Sequence, residues 1–201
     1  MTTLHILLPL AAAWALAVVL PGPNFLVIVW TAAARGRRPA LAAALGVLTG
    51  ALFWIAAGLF GLKVLFAALP VAGTAIRLLG AAYIVWFGLQ MLLRPDRAGG
   101  ASTGAGMAAY RSGLATTLSN PKSAAVAASL LAAGLPADAS PGLGGEAFVM
   151  LIAISSCWYL GVALVGSLPP LVARLMAARR RLSQVAGVVF ILFGLRLAVE
   201  P

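Results

Sequence analysis

Apolar residues come in long runs rather than in alternating or one-faced patterns, and short stretches rich in Arg, Gly and Pro separate them. A helix crosses the roughly 30 Å hydrocarbon layer with about 20 apolar residues. On that measure the chain predicts six membrane spans, at about residues 4–33, 40–66, 71–93, 110–133, 145–167 and 182–199. Arg35-Gly36-Arg37-Arg38-Pro39 ends the first span and starts the second. Pro70 separates the second and third. Residues 94–107, rich in Gly, Ser and Ala, predict a flexible link. Residues 136–145 read as a short loop, and Pro169-Pro170 ends the fifth span. The basic stretch 171–181 predicts an amphipathic helix lying along the interface.

Two of the six runs carry breakers near their middle. Pro21-Gly22-Pro23-Asn24 interrupts the first, and Ser119-Asn120-Pro121-Lys122 interrupts the fourth. Proline lacks a backbone N–H and clashes with the preceding turn. The first cluster therefore predicts a half-helix ending near Leu20 and a new one beginning with Gly22 as N-cap and Pro23 as first residue, the place proline prefers. In the second cluster, Asn120 is a good N-cap and Pro121 fits the first helical position. Each break exposes N–H groups and a positive dipole end inside the protein. Lys122 puts an ammonium in the first turn of such a helix, where positive charge is disfavoured. A bound carboxylate, a backbone carbonyl or water must offset it. A single proline would read as a structural kink, because neighbouring helices can satisfy the freed carbonyls. Two matched breaks point instead to a transporter's binding site.

Composition narrows the class. The 201 residues are 63% hydrophobic and only 9% charged, against about 25% charged in soluble domains; mean hydropathy is +1.06. The net charge of +10 does not signal nucleic acid. Ten of the fourteen basic residues fall in the first, third and fifth connections: Arg35, Arg37 and Arg38; Arg94, Arg97 and Arg111; Arg174, Arg179, Arg180 and Arg181. That is the bias expected of cytoplasmic loops, and it places both termini outside. No basic face with interleaved aromatics of the kind nucleic acid needs is visible.

The same breaks suggest an internal repeat. Each half opens with a Pro-broken span, and Phe87-Gly88-Leu89 recurs as Phe193-Gly194-Leu195. Three spans per half is an odd number, so the second half must lie inverted relative to the first. The expected fold is an all-α integral membrane protein of six transmembrane helices, built as two inverted three-helix repeats with the first and fourth helices broken at proline. The whole chain, 1–201, would be one transporter domain: a first repeat over about 1–93, a linker over 94–109 and a second repeat over 110–201.

The remaining residues limit the chemistry. Cys157 and His5 are the only residues of their kind. They offer no metal site and no Cys-His or Ser-His catalytic pair, so neither an enzyme nor a metal or other cofactor is expected. Cys157 reads as core packing. The acids Asp96, Asp138, Glu146 and Glu200 all fall in connections or at ends, leaving Lys122 as the deep ionisable group. Gly46 and Gly50, followed by Gly58 and Gly61, form a small-residue face for close helix packing; sliding of the halves or a homodimer are the narrower readings. Trp158 and Tyr159 lie too centrally for interfacial anchors and either pack or line a cavity. Trp54, Tyr83 and Trp86 read as packing, and Thr49 and Gln90 as polar residues that could face a cavity.

The chain also resembles a known family. Pro21-Gly22-Pro23-Asn24, the Arg35–Arg38 turn, the Gly46/Gly50 span, Gly80-Ala81-Ala82-Tyr83-Ile84-Val85-Trp86-Phe87-Gly88, Tyr110-Arg111-Ser112-Gly113 and Leu118-Ser119-Asn120-Pro121-Lys122 together resemble the lysine exporter (LysE/RhtB) family of amino-acid exporters. The resemblance implies a multi-pass secondary carrier of the bacterial inner membrane that expels amino acids or related small zwitterions, driven by the proton motive force. It implies that Pro21, Gly22, Pro23, Asn24, Asn120, Pro121 and Lys122 surround the pathway, and Tyr159 joins them as a substrate-binding candidate. Some members carry an acid within the fifth span, where this chain reads Ile154-Ser155-Ser156-Cys157-Trp158-Tyr159. A neutral amino acid therefore fits better than lysine. The alternative is an exporter or channel for another small solute.

Overall fold

The computed structural model describes residues 3–20, 22–68, 106–136 and 138–166, with scattered helical positions between 78 and 93 and between 170 and 195; side chains at 62–68 and 121 are not described. Among the described residues the protein is all helix. In chain order, α1 spans Thr3–Val19, α2 Pro23–Arg35, α3 Arg37–Ala68, α4 Met107–Leu118, α5 Pro121–Gly134 and α6 Pro141–Val165.

Both predicted interruptions are present. α1 and α2 meet at a bend of 48°, and α4 stops at Leu118 two residues before α5 starts. Two unbroken stretches, Arg37–Gly61 of α3 and Pro141–Val165, are long and apolar enough to cross a membrane, and the bent α1–α2 pair makes a third. The third and sixth predicted spans, the 94–107 link, the 171–181 helix and the Phe-Gly-Leu repeat fall largely or wholly outside the described residues. So do Tyr83 and Gln90.

The first connection is tighter than a loop. Gly36 alone separates α2 from α3, at φ 80°, ψ −172°, a conformation essentially reserved for glycine. Its N–H bonds to Ala32 O at 2.9 Å and closes α2. The loop expected over 136–145 is shorter than its composition suggests. Ser140 caps α6, accepting from Leu143 N at 3.2 Å, and Pro141 takes the first helical turn. A Ser-Pro pair that reads as a loop is here a helix start.

α3 is the central post, lying against α4, α5, α6 and α2. Its glycine face is used within the chain. A Cβ on Gly46 would run into the Tyr110 carbonyl, and one on Gly113 into the Ala43 carbonyl. On Gly50 it would come 2.6 Å from Thr117 Cβ, and on Gly58 2.6 Å from Leu131 Cδ1. The backbones of α3 and α4 thus touch, as small-residue faces allow. Many large apolar side chains point the other way, including Leu8, Phe53, Phe60 and Val149. In lipid this outer surface costs nothing in desolvation, since the surroundings are as apolar as the side chains.

Candidate functional site

The two breaks face each other across one recess. Its lining comes from α1 (Trp14, Ala17, Val18), the first break and start of α2 (Leu20, Gly22, Pro23, Asn24, Phe25), α3 (Ala51, Trp54), the second break (Thr117, Asn120, Lys122, Ser123, Val126) and α6 (Ser155, Tyr159). The space measures about 550 Å³ with its open mouth included. Its mostly apolar walls with a few convergent polar groups match the character of small-molecule sites.

Local chemistry builds each break. At the first, Gly22 is the N-cap, with extended φ −141° and ψ −170° and no side-chain cap, and Pro23 opens α2. At the second, Asn120 is the N-cap, and its Oδ1 accepts from Lys122 N at 3.1 Å. Carbonyls at the end of α4 also accept bonds from side chains. Trp54 Nε1 donates to Thr117 O at 3.1 Å, and Ser119 Oγ donates to Ala115 O at 2.6 Å. The Lys122 ammonium crosses the gap: its Nζ lies 3.5 Å from where a Cβ on Gly22 would sit.

Asn24 stands between the breaks. Its Nδ2 donates to Ser123 Oγ at 3.3 Å, and its Oδ1 accepts from Thr117 Oγ1 at 3.3 Å. On α6, Ala147, Leu151, Ser155, Tyr159 and Val162 are buried, a stripe at intervals of three and four that marks one helix face. Trp14 Nε1 donates to Ser155 Oγ at 3.0 Å, and Ser155 Oγ donates on to Leu151 O.

The recess brings together Gly22, Pro23, Asn24, Asn120, Lys122 and Tyr159 of the residues expected from sequence. Pro21 and the Pro121 side chain lie outside the described residues, although α5 does begin at Pro121. Trp14, Trp54, Thr117, Ser123 and Ser155 were not expected there. Spacing could have found two of them: Ser155 is one turn before Tyr159, and Thr117 three residues before Asn120.

Several sequence expectations need correction. Trp54 does more than pack, since it lines the recess and donates to the Thr117 carbonyl. Thr49 is not in the lining; it donates to Leu45 O and accepts from the Tyr110 hydroxyl on an exposed side of α3. Cys157 is exposed rather than in the core. Two positions from both Ser155 and Tyr159, it projects from the opposite side of α6. Trp158 stacks on Phe25 with ring centroids 6.3 Å apart.

Helices broken in mid-span around a partly polar recess in an otherwise apolar bundle define a translocator of small solutes. Residues 15–201 match the LysE type translocator family. The chain belongs to that family, as its motifs suggested, and is therefore a multi-pass transport protein of the bacterial inner membrane and not an enzyme. It is 30% identical to the uncharacterized membrane protein YahN of Escherichia coli K12, over 90% of this chain and 83% of that one. It is 26% identical to the threonine efflux protein of the same strain, over 98% and 99% of the two chains. Against the leucine efflux protein of Klebsiella pneumoniae it is 29% identical, over 90% and 89%. No solved structure matches the chain.

Proposed function

We propose that the protein exports small neutral amino acids, binding the zwitterion in the recess between the two helix breaks. One observation carries the reading: Lys122 extends its ammonium over the start of α2. An ammonium beside the positive end of a helix is disfavoured, and a carboxylate placed between them relieves both. The substrate ammonium would be met by neutral oxygens, of Asn24, Thr117, Ser155 and Tyr159, since no carboxylate is among the described residues lining the recess. That lining suits a substrate with no net charge and disfavours a cationic side chain. Relatives described as threonine and leucine efflux proteins support a neutral substrate class.

In this reading the whole chain acts as one domain. Its halves, about 1–93 and 110–201, are inverted repeats that rock around the recess to give alternating access. Transport is secondary active, driven by the proton motive force, as the family resemblance implies. Pro21 and Pro121 serve by ending and starting the half-helices.

The test is counterflow in proteoliposomes. Purified protein should accumulate labelled threonine or leucine against an excess of the unlabelled amino acid, and a protonophore should abolish uphill export from cells fed a dipeptide. Absence of counterflow for every neutral amino acid would refute the substrate class. Flux without exchange would identify a channel.

A further inference from the structure

One side chain joins the two breaks. Asn24 sits in the first turn of α2, and its amide spans the other break from end to end. The oxygen accepts from Thr117 in the last turn of α4, and the nitrogen donates to Ser123 in the first turn of α5. Both partners are hydroxyls, which can donate or accept, so the amide is held at each end whichever way its oxygen and nitrogen point.

Thr117 is itself firmly placed. It is buried, and its hydroxyl hydrogen is shared between Asn24 Oδ1 and the Gly113 carbonyl, 3.1 Å away. Its carbonyl is held by Trp54. Its Cβ occupies the space that Gly50 leaves open on α3. The glycine of a packing motif is thus connected, through Thr117, to the orientation of an amide in the recess.

We propose that Thr117 and Ser123 are positioning residues for translocation that act through Asn24: together they hold its amide in place and set the separation of the two breaks. A substrate entering the recess then meets an amide already held in place rather than a freely rotating side chain, which lowers the cost of binding.

The proposal rests on the amino-acid reading only for its transport readout. In threonine or leucine counterflow, Thr117→Val should raise KM about threefold, and by no more than about twentyfold, the span expected of single hydrogen bonds within membranes. Maximal rate should change less. Ser123→Ala should act similarly, and Thr117→Ser, which keeps the hydroxyl, should restore KM. Equal KM values for Thr117→Val and Thr117→Ser would overturn the proposal. A double-mutant cycle on thermal stability in detergent needs no substrate. Thr117→Val and Asn24→Ala together should lower Tm by less than the sum of their separate effects, and additive losses would also overturn it. If Thr117→Val does not fold, the Ser123→Ala and Asn24→Ala cycle decides in the same way. A wild-type protein that carries neither amino acid would refute the amino-acid reading alone, and the thermal cycle would still judge the bridge.

Discussion

The two helix breaks solve the same problem with different chemistry. The second is finished by side chains: Asn120 caps α5, while Trp54 and Ser119 take up carbonyls at the end of α4. The first has no side-chain cap, only an extended glycine followed by proline. An N-cap side chain satisfies one of the N–H groups that a helix start leaves over. The second break therefore satisfies one of its donors with a side chain, whereas no side chain caps the first. In the proposed reading, the capped break is the firm wall and the uncapped one, with Lys122 reaching over it, is where the substrate carboxylate binds.

Six substitutions sharpen or break this contrast. Lys122→Ala has the largest expected effect on function. Loss of a charge-assisted contact of about 1.5–3 kcal/mol should weaken substrate binding roughly tenfold to hundredfold. Counterflow measures it, and unchanged transport would remove Lys122 from the mechanism. Gly46→Ala should have the largest effect on stability, because its Cβ would strike the Tyr110 carbonyl of α4. Overpacking of this kind costs about 1–3 kcal/mol. Gly61→Ala, with nothing within 4 Å, should be harmless in the same thermal-unfolding assay. Equal melting shifts for the two would mean that α3 and α4 do not touch there.

The two caps provide the direct comparison. Asn120→Ala should cost about 1 kcal/mol of stability through loss of the cap. Gly22→Ala removes no side-chain bond, and its Cβ would meet Lys122 Nζ at an ordinary 3.5 Å. It should lower transport more than melting temperature. The reverse pattern, with Gly22→Ala the less stable and Asn120→Ala the poorer carrier, would exchange the roles assigned to the two breaks. The smallest effect belongs to Cys157→Ser. An exposed position away from special contacts should shift stability by less than about 0.5 kcal/mol, and a larger fall in melting temperature would return Cys157 to the core.

The breaks were readable in advance because they are local events. Proline removes a donor from its own residue, and glycine or asparagine caps the helix next to it. Such rules act over four or five residues and survive any tertiary context. Gly22, Pro23, Asn24, Asn120 and Lys122 could be named from the chain for that reason. The start of α6 was missed although its signal was equally local: Ser140 and Pro141 sit among residues that also suit a turn, and the cap competed with a loop of similar composition. Trp54, Thr49 and Cys157 failed for another reason. In a soluble helix the polar face shows which way each residue points. In α3 and α6 nearly every face is apolar, so the sequence contains no such marker.

Class, the two interruptions and the residues beside them were settled by short-range chemistry and by the apolar length needed to cross a bilayer. Rotation of each helix about its axis, and hence the arrival of Trp14, Trp54, Thr117, Ser123 and Ser155 at one recess, was settled by packing. For α3 and α4, close contacts at Gly46, Gly50 and Gly113 fix that rotation. They are steric, they join residues 64 to 70 positions apart, and no pattern within either helix encodes them.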